Sequence, residues 1–137
     1  MALNRSADDL NAFLDARLKA EGLGPEALAL VGFSQGAMMS MHVAPRRDAA
    51  IAGVVAISGR LMRPGTLAAE MKVKPPILLV HGDQDPMVPY GEMAAAGNAL
   101  VANGFETYAH TMKGTGHGIA PDGLQVALSF LADRLPK

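Results

Sequence analysis

In the stretch Leu28-Ala-Leu-Val-Gly-Phe-Ser-Gln-Gly36, a continuous apolar run leads directly into the pattern G-x-S-x-G. A short unbroken apolar run predicts a strand that is buried on both faces. The residues after Ser34 favour a helix that ends before Pro45. A strand, a Ser and a helix in this order are what a nucleophile elbow requires, and its glycines leave room for the tight turn. The simpler alternative is a Ser that caps a helix after a glycine turn.

On both sides of this stretch, short apolar runs alternate with helical patterns. A first helix is expected to begin at Ser6 as its cap. We predict further strands at 51–58, 76–81 and 105–112, and further helices at 89–103 and 121–135. This alternation is typical of a mostly parallel sheet covered by helices. The expected fold class is therefore α/β, with four strands in chain order and the last one near a sheet edge.

The composition limits the classes of protein to consider. The chain has 137 residues and a mass of 14.2 kDa, which fits a single domain at 1–137. With 12 basic and 13 acidic residues, neither a nucleic-acid surface nor a polybasic membrane anchor is expected. The absence of Cys excludes disulfides and thiolate metal sites. We expect no metal, no cofactor and no membrane insertion, and a cytoplasmic location because no signal peptide is visible.

A nucleophilic Ser needs a base, and the chain has four His. His42 falls within a predicted helix, whereas His81 and His110 fall at the end of a predicted strand and inside one. His117 lies in Lys113-Gly-Thr-Gly-His-Gly-Ile119, a glycine-rich loop after the last strand. Chemistry on parallel α/β sheets takes place at the carboxyl ends of the strands, so the sequence favours His117 as the base.

A carboxylate is also needed, to orient the base and to stabilise its imidazolium. The segment His81-Gly-Asp-Gln-Asp-Pro-Met-Val-Pro89 follows the third predicted strand and offers Asp83 and Asp85. Both could equally be ordinary turn residues, and spacing alone leaves the choice between them open. The chain order of Ser34, an Asp and His117 is the order expected of an α/β-hydrolase.

These segments resemble the phospholipase/carboxylesterase family of α/β-hydrolases, which includes the acyl-protein thioesterase-like esterases. The matching stretches are Leu30-Val-Gly-Phe-Ser-Gln-Gly36, Val55-Ala-Ile-Ser-Gly59, Leu79-Val-His-Gly-Asp-Gln-Asp-Pro-Met-Val-Pro89 and Gly116-His-Gly118. In the family the acid is the Asp directly before Pro, which implies Asp85 rather than Asp83. The resemblance implies a carboxylesterase-type serine hydrolase that uses Ser34, His117 and Asp85.

The resemblance also implies a shortened fold. Family members carry further strands before the elbow, and a loop among them supplies one oxyanion-hole N–H. This chain begins at the helix before the nucleophile strand, so we expect a truncated α/β-hydrolase fold in which the N–H of Gln35 is the remaining donor. Strand 28–33 would then lie at a bare sheet edge. Since an exposed apolar edge favours pairing, we expect a homo-oligomer, such as a homodimer, through this strand.

The expected substrates are small-molecule esters with short to medium acyl chains. Leu61, Met62 and Met87 are expected to form a soft apolar surface for the acyl group, because Met adapts to varied apolar partners. Two alternatives stay open from the sequence. One is a thioesterase or lysophospholipase of the same fold, and the other is a catalytically inactive fragment that acts as an assembly module.

Overall fold

The computed structural model describes residues 2–136, with side chains from residue 5 onward. Helices and strands alternate along these residues. In chain order they are α1 (Ala2–Glu21), β1 (Ala29–Phe33), α2 (Gln35–Val43), β2 (Gly53–Ile57), α3 (Leu67–Glu70), β3 (Ile77–Gly82), α4 (Gly91–Ala102), β4 (Thr107–Met112) and α5 (Pro121–Arg134). Because Ser6 lies inside α1, the prediction that it caps this helix is wrong. The residues before Ser6 include Ala, Leu and Arg, which are good helix formers and extend the helix.

The four strands form one parallel sheet in the order β1-β2-β3-β4. This arrangement confirms the predicted α/β class and the placement of β4 at a sheet edge. In the register, Phe33 pairs with Ile57, Ile57 with Val80, and Val80 with His110. All four strands therefore end on the same side of the sheet, and the loops that follow them meet there.

The core lies on both faces of the sheet. One apolar cluster joins the sheet to α2 and α4, and it includes Ala37, Met41, Val54, Leu79 and Leu100. The other joins the sheet to α5 and includes Val55, Ile57, Val80, Met112 and Phe130. Burying a Val, Leu or Met side chain contributes about 1.5–3 kcal/mol, so the central strands β2 and β3, buried along their whole length, anchor the fold.

Strand β1 is more exposed than its apolar sequence predicts. Val31 pairs with Val55, so its side chain points to the face that α5 covers over β2, β3 and β4. Val31 is nevertheless 55% exposed and Phe33 is 38% exposed. The prediction of a strand buried on both faces is wrong for the described residues, because β1 is an edge strand and lies beyond the reach of α5.

Among residues 2–136, no helix combines the length and the apolar character needed to span a bilayer.

Candidate active site

Ser34 sits in a sharp turn between the end of β1 and the start of α2. Its backbone has φ 57° and ψ −115°, in the left-handed half of the map that a non-glycine residue rarely occupies. The N–H of Ser34 donates to the Ile57 carbonyl at 2.8 Å, and the N–H of Met38 donates to the Ser34 carbonyl at 3.1 Å. A conformation of this kind costs about 1–3 kcal/mol and persists only where its surroundings hold it. The strained turn carries Ser34 from the carboxyl end of the sheet to the N-terminus of α2.

The two glycines of the G-x-S-x-G motif are not equivalent. A Cβ on Gly32 would lie 2.3 Å from the backbone carbonyl carbon and oxygen of Gly36, so only glycine allows α2 to approach β1 this closely. A Cβ on Gly36 would meet no heavy atom of the described residues within 4 Å. The expectation that the glycines make room for the turn therefore holds for Gly32 alone among these residues.

Ser34, His117 and Asp85 lie in hydrogen-bonding contact. The Nε2 atom of His117 is 3.1 Å from the Oγ of Ser34, and the Nδ1 atom of His117 is 2.8 Å from Oδ2 of Asp85. The Asp85 side chain is fully buried and the His117 side chain is mostly buried. The three residues predicted from the sequence thus come together, each from the segment that follows a strand.

The Asp85 carboxylate is held on both oxygens. Its Oδ1 accepts the N–H groups of Met87 at 2.8 Å and Val88 at 2.9 Å. Burial would raise the pKa of Asp85, but the hydrogen bonds from His117, Val88 and Met87 outweigh it, and the pKa lies below its usual value. An ionised carboxylate is acceptor-only, so it fixes the proton of His117 on Nδ1 and leaves Nε2 free to accept one from Ser34.

The other histidines have different partners. His81 is buried, with Nε2 2.9 Å from the Val88 carbonyl and 3.5 Å from Oδ2 of Asp85, so it supports the loop that carries Asp85. His110 lies 2.7 Å from Asp122 on α5. His42 is buried in α2, where burial and then the nearby guanidinium groups lower its pKa. Of the four, only His117 is hydrogen-bonded to the Ser34 hydroxyl in the part of the chain described.

Gln35 is the first residue of α2 and directly follows Ser34. The N–H groups of the first helical turn have no carbonyl partner within the helix, and the helix dipole adds partial positive charge there. The Gln35 N–H is therefore available to an anion that forms beside Ser34.

Large apolar residues flank the three polar residues along the chain. Phe33, next to Ser34, places its ring 4.8 Å from the His117 imidazole. Met87, two residues after Asp85, is 69% exposed, and Ile119, two residues after His117, is 49% exposed. Phe33 and Ile119 were not predicted from the sequence, although Phe33 directly precedes Ser34 and Ile119 lies two residues after His117.

The other two residues predicted to bind substrate lie on the segment after β2. Leu61 packs in the core against α4, and Met62 is half-buried. That segment starts beside the elbow, since a Cβ on Gly59 would lie 3.0 Å from the Ser34 carbonyl oxygen. Within the described residues, no group of three or more His, Cys, Asp or Glu is arranged to hold a metal ion.

Comparison with known proteins gives a consistent result. The family model described as phospholipase/carboxylesterase matches residues 2–135. Esterase YpfH of Escherichia coli (strain K12) is 32% identical over 119 residues, which cover 87% of this chain and 50% of that protein. Acyl-protein thioesterase 1 of Saccharomyces cerevisiae is 33% identical over 121 residues, or 84% of this chain and 53% of that protein.

Solved structures agree. The crystal structure of esterase PE8 superposes with a TM-score of 0.94 at 40% identity, covering 97% of this chain and 62% of that one. The crystal structure of SOBER1 of Arabidopsis thaliana superposes with a TM-score of 0.91 at 26% identity, covering 98% of this chain and 65% of that one. The chain spans about half the length of the two curated relatives named above. The resemblance predicted from the motifs is confirmed: this chain belongs to the phospholipase/carboxylesterase family of α/β-hydrolases.

Proposed function

We propose that the chain is a serine hydrolase of the carboxylesterase type, which transfers acyl groups from small-molecule esters to water. Ser34 is the nucleophile, His117 the general base and Asp85 the residue that orients His117. The observation that supports this most strongly is the unbroken contact from Ser34 Oγ through His117 to Asp85, at 3.1 and 2.8 Å. Nucleophile and base in hydrogen-bond reach, with a third group fixing the base, form the arrangement that activates a hydroxyl.

The reaction proceeds in two acyl transfers. Ser34 Oγ attacks the ester carbonyl carbon while its proton passes to Nε2 of His117, and Asp85 stabilises the imidazolium. His117 then gives that proton to the leaving alkoxide oxygen as the ester bond breaks, which leaves an acyl group on Ser34. Water attacks this acyl-enzyme, its proton passes to Nε2, and collapse of the intermediate releases the acid and returns the proton to Ser34.

The negative charge that develops on the carbonyl oxygen needs a donor. We propose the N–H of Gln35 for this role, supported by its position directly after Ser34 at the N-terminus of α2. Removing one such donor costs about 10² to 10³ in kcat in enzymes that have a full oxyanion hole. The Gln35 N–H on its own would therefore be enough for measurable turnover.

The apolar side chains around the three residues indicate the substrate class. Phe33, Met87 and Ile119 are exposed apolar residues within two positions of the three polar residues. The half-buried Met62 lies on the segment that begins beside the elbow, whereas Leu61 on that segment is buried in the core. An open surface of this kind suits short to medium acyl chains with loose selectivity, since Met accommodates varied apolar partners.

A thioesterase is the second candidate, and the observation in its favour is the match to acyl-protein thioesterase 1. The same three residues would serve, because a thioester carbonyl is attacked in the same way. Kinetics with matched oxygen esters and thioesters of one acyl chain separate the two candidates. A higher kcat/KM for the thioester, measured at equal chain length, would favour the second.

Covalent labelling tests the proposed nucleophile. A fluorophosphonate probe phosphonylates an activated Ser, with loss of fluoride, and we expect one label per chain, mapped to Ser34 by mass spectrometry. Ser34→Ala and heat-denatured protein should remain unlabelled, because neither has an activated hydroxyl. Ser129→Ala, which removes an exposed Ser on α5, is the matched control and should label at the wild-type rate. Wild-type protein that stays unlabelled would contradict the proposal and favour the inactive assembly module.

We also propose that two copies associate through β1. The N–H of Ser34 and the carbonyl of Leu28 bond to the β2 side. Backbone N–H and C=O groups of successive residues point to alternate edges of a strand. Those of Ala29, Val31 and Phe33 therefore point to the opposite edge, where no described strand pairs with them. An antiparallel pair centred on Val31 would satisfy these groups with roughly six hydrogen bonds.

Light scattering at micromolar concentration checks this assembly. We expect a mass of twice 14.2 kDa for the wild-type chain. Val31→Lys should give a monomer, because the two lysines would face each other across the twofold axis and like charges directly opposite destabilise a pair. Val101→Lys changes an equally exposed Val on α4 and should leave the dimer intact. A wild-type monomer would rule out the assembly.

A further inference from the structure

The loops after β3 and β4 are tied to each other. We name residues 83–88 the acid loop, since it carries Asp85, and residues 113–120 the histidine loop, since it carries His117. Oδ1 of Asp83 accepts the N–H of Gly114 at 2.8 Å, and the N–H of Gln84 donates to the Thr115 carbonyl at 2.9 Å. These two bonds join consecutive residues of one loop to consecutive residues of the other.

The histidine loop also lies directly on the backbone of β3. A Cβ on Gly82 would be 2.2 Å from the carbonyl oxygen of Thr115 and 2.4 Å from that of Gly116. Gly114 itself has φ +69°, a conformation that suits glycine, and its N–H donates to Asp83. Gly82 and Gly114 therefore allow the histidine loop to approach β3 and the acid loop, and the Asp83 carboxylate fixes it there with a hydrogen bond.

This contact sets how far the histidine loop reaches. Strand β4 lies at one edge of the sheet and β1 at the other, so His117 must extend past the ends of β3 and β2 to meet Ser34. Asp85 holds the imidazole ring, but the ring can reach Ser34 only if the loop that carries it leans over β3. Catalytic groups displaced by about 1 Å can lose about 10² in rate.

We propose that Asp83 is a positioning residue, which holds the histidine loop over β3 so that His117 reaches Ser34. The inference rests on the proposed function, and it gives the two acidic residues of the acid loop separate tasks. Asp85 orients the imidazole through Nδ1, whereas Asp83 contacts the backbone of the loop and touches neither Ser34 nor the imidazole.

Asp83→Ala and Asp83→Asn test the inference in the full chain. We expect Asp83→Ala to lower kcat for p-nitrophenyl butyrate about 10-fold, with KM changed less than about twofold, because Asp83 does not bind substrate. Asp83→Asn keeps an acceptor oxygen and should recover most of kcat. Asp122→Ala, which removes a carboxylate that pairs with His110 on β4, is the matched control and should leave kcat unchanged.

Hydrogen exchange supplies a readout that does not depend on activity. In Asp83→Ala, the amides of the histidine loop, above all that of Gly114, should exchange faster, while those of β2 and β3 keep wild-type protection. Gly82→Ala perturbs the same contact from the other side and should lower kcat further, because its methyl group pushes the loop off β3. Gly118→Ala lies in the same loop with open space around it and should have little effect.

Two outcomes would overturn the inference. One is wild-type kcat and wild-type exchange of the histidine loop in Asp83→Ala. The other is a fall in kcat that only accompanies a lowered Tm and that Asp83→Asn does not recover, which would make Asp83 a purely structural residue. If Asp83→Ala does not fold, Asp83→Asn and Gly82→Ala decide by the same criteria. A wild-type chain without activity would count against the proposed function instead. The exchange rates of the histidine-loop amides would still show whether Asp83 holds that loop in place.

Discussion

Replacement of His117 by Ala lowers kcat for p-nitrophenyl esters by about 10⁴-fold or more, if the proposed function is correct. Nε2 of His117 is 3.1 Å from the Ser34 hydroxyl, and no other base among the described residues is hydrogen-bonded to it. Without a base, Ser34 keeps its proton and the leaving group receives none. In triads of this type, loss of the His alone costs about as much as loss of the whole set.

The structure offers a matched control for this variant. His110 also pairs with an aspartate, Asp122 at 2.7 Å, but its pair lies on the surface between β4 and α5. His110→Ala should therefore keep wild-type kcat. The kcat of Asp85→Asn should lie between those of His117→Ala and His110→Ala, about 10³ to 10⁴-fold below wild type, because His117 remains but its tautomer is no longer fixed. A His117→Ala enzyme within tenfold of wild type would exclude His117 as the base.

The three residues of the candidate site could be predicted because each follows a strand that the sequence marks clearly. Ser34 comes after a continuous apolar run, and His117 lies in a glycine-rich loop after the last strand. Parallel strands in chain order bring such loops to one side of the sheet, so local patterns were enough to place them together. The choice of Asp85 over Asp83 needed the family resemblance, because both residues follow the same strand.

The features that sequence reasoning missed depend on contacts between distant segments. The exposure of Val31 follows from the reach of α5, which covers β2 to β4, and no pattern within β1 reveals this. The bond from Gly114 to Asp83 joins residues that lie in different loops. Phe33 packs on His117 only because the histidine loop crosses the sheet. Tertiary contacts of this kind leave no periodic signal in the chain.

The distances among Ser34, His117 and Asp85 arise within the described part of the chain. A backbone hydrogen bond from Ser34 to Ile57 holds the elbow to β2, and one from Gln84 to Thr115 joins the acid loop to the histidine loop. We propose that the N–H of Gln35 supplies one donor of the oxyanion site.

Hydrolysis of p-nitrophenyl acetate and butyrate by the wild-type chain, beside Ser34→Ala purified in the same way, tests the central claim most directly. Ser34→Ala removes one hydroxyl from a half-buried position and leaves His117 and Asp85 in contact, so the variant should fold with wild-type Tm. We expect turnover by the wild type and only background hydrolysis by Ser34→Ala. Equal rates for the two proteins would contradict it, because the hydrolysis would then not pass through Ser34.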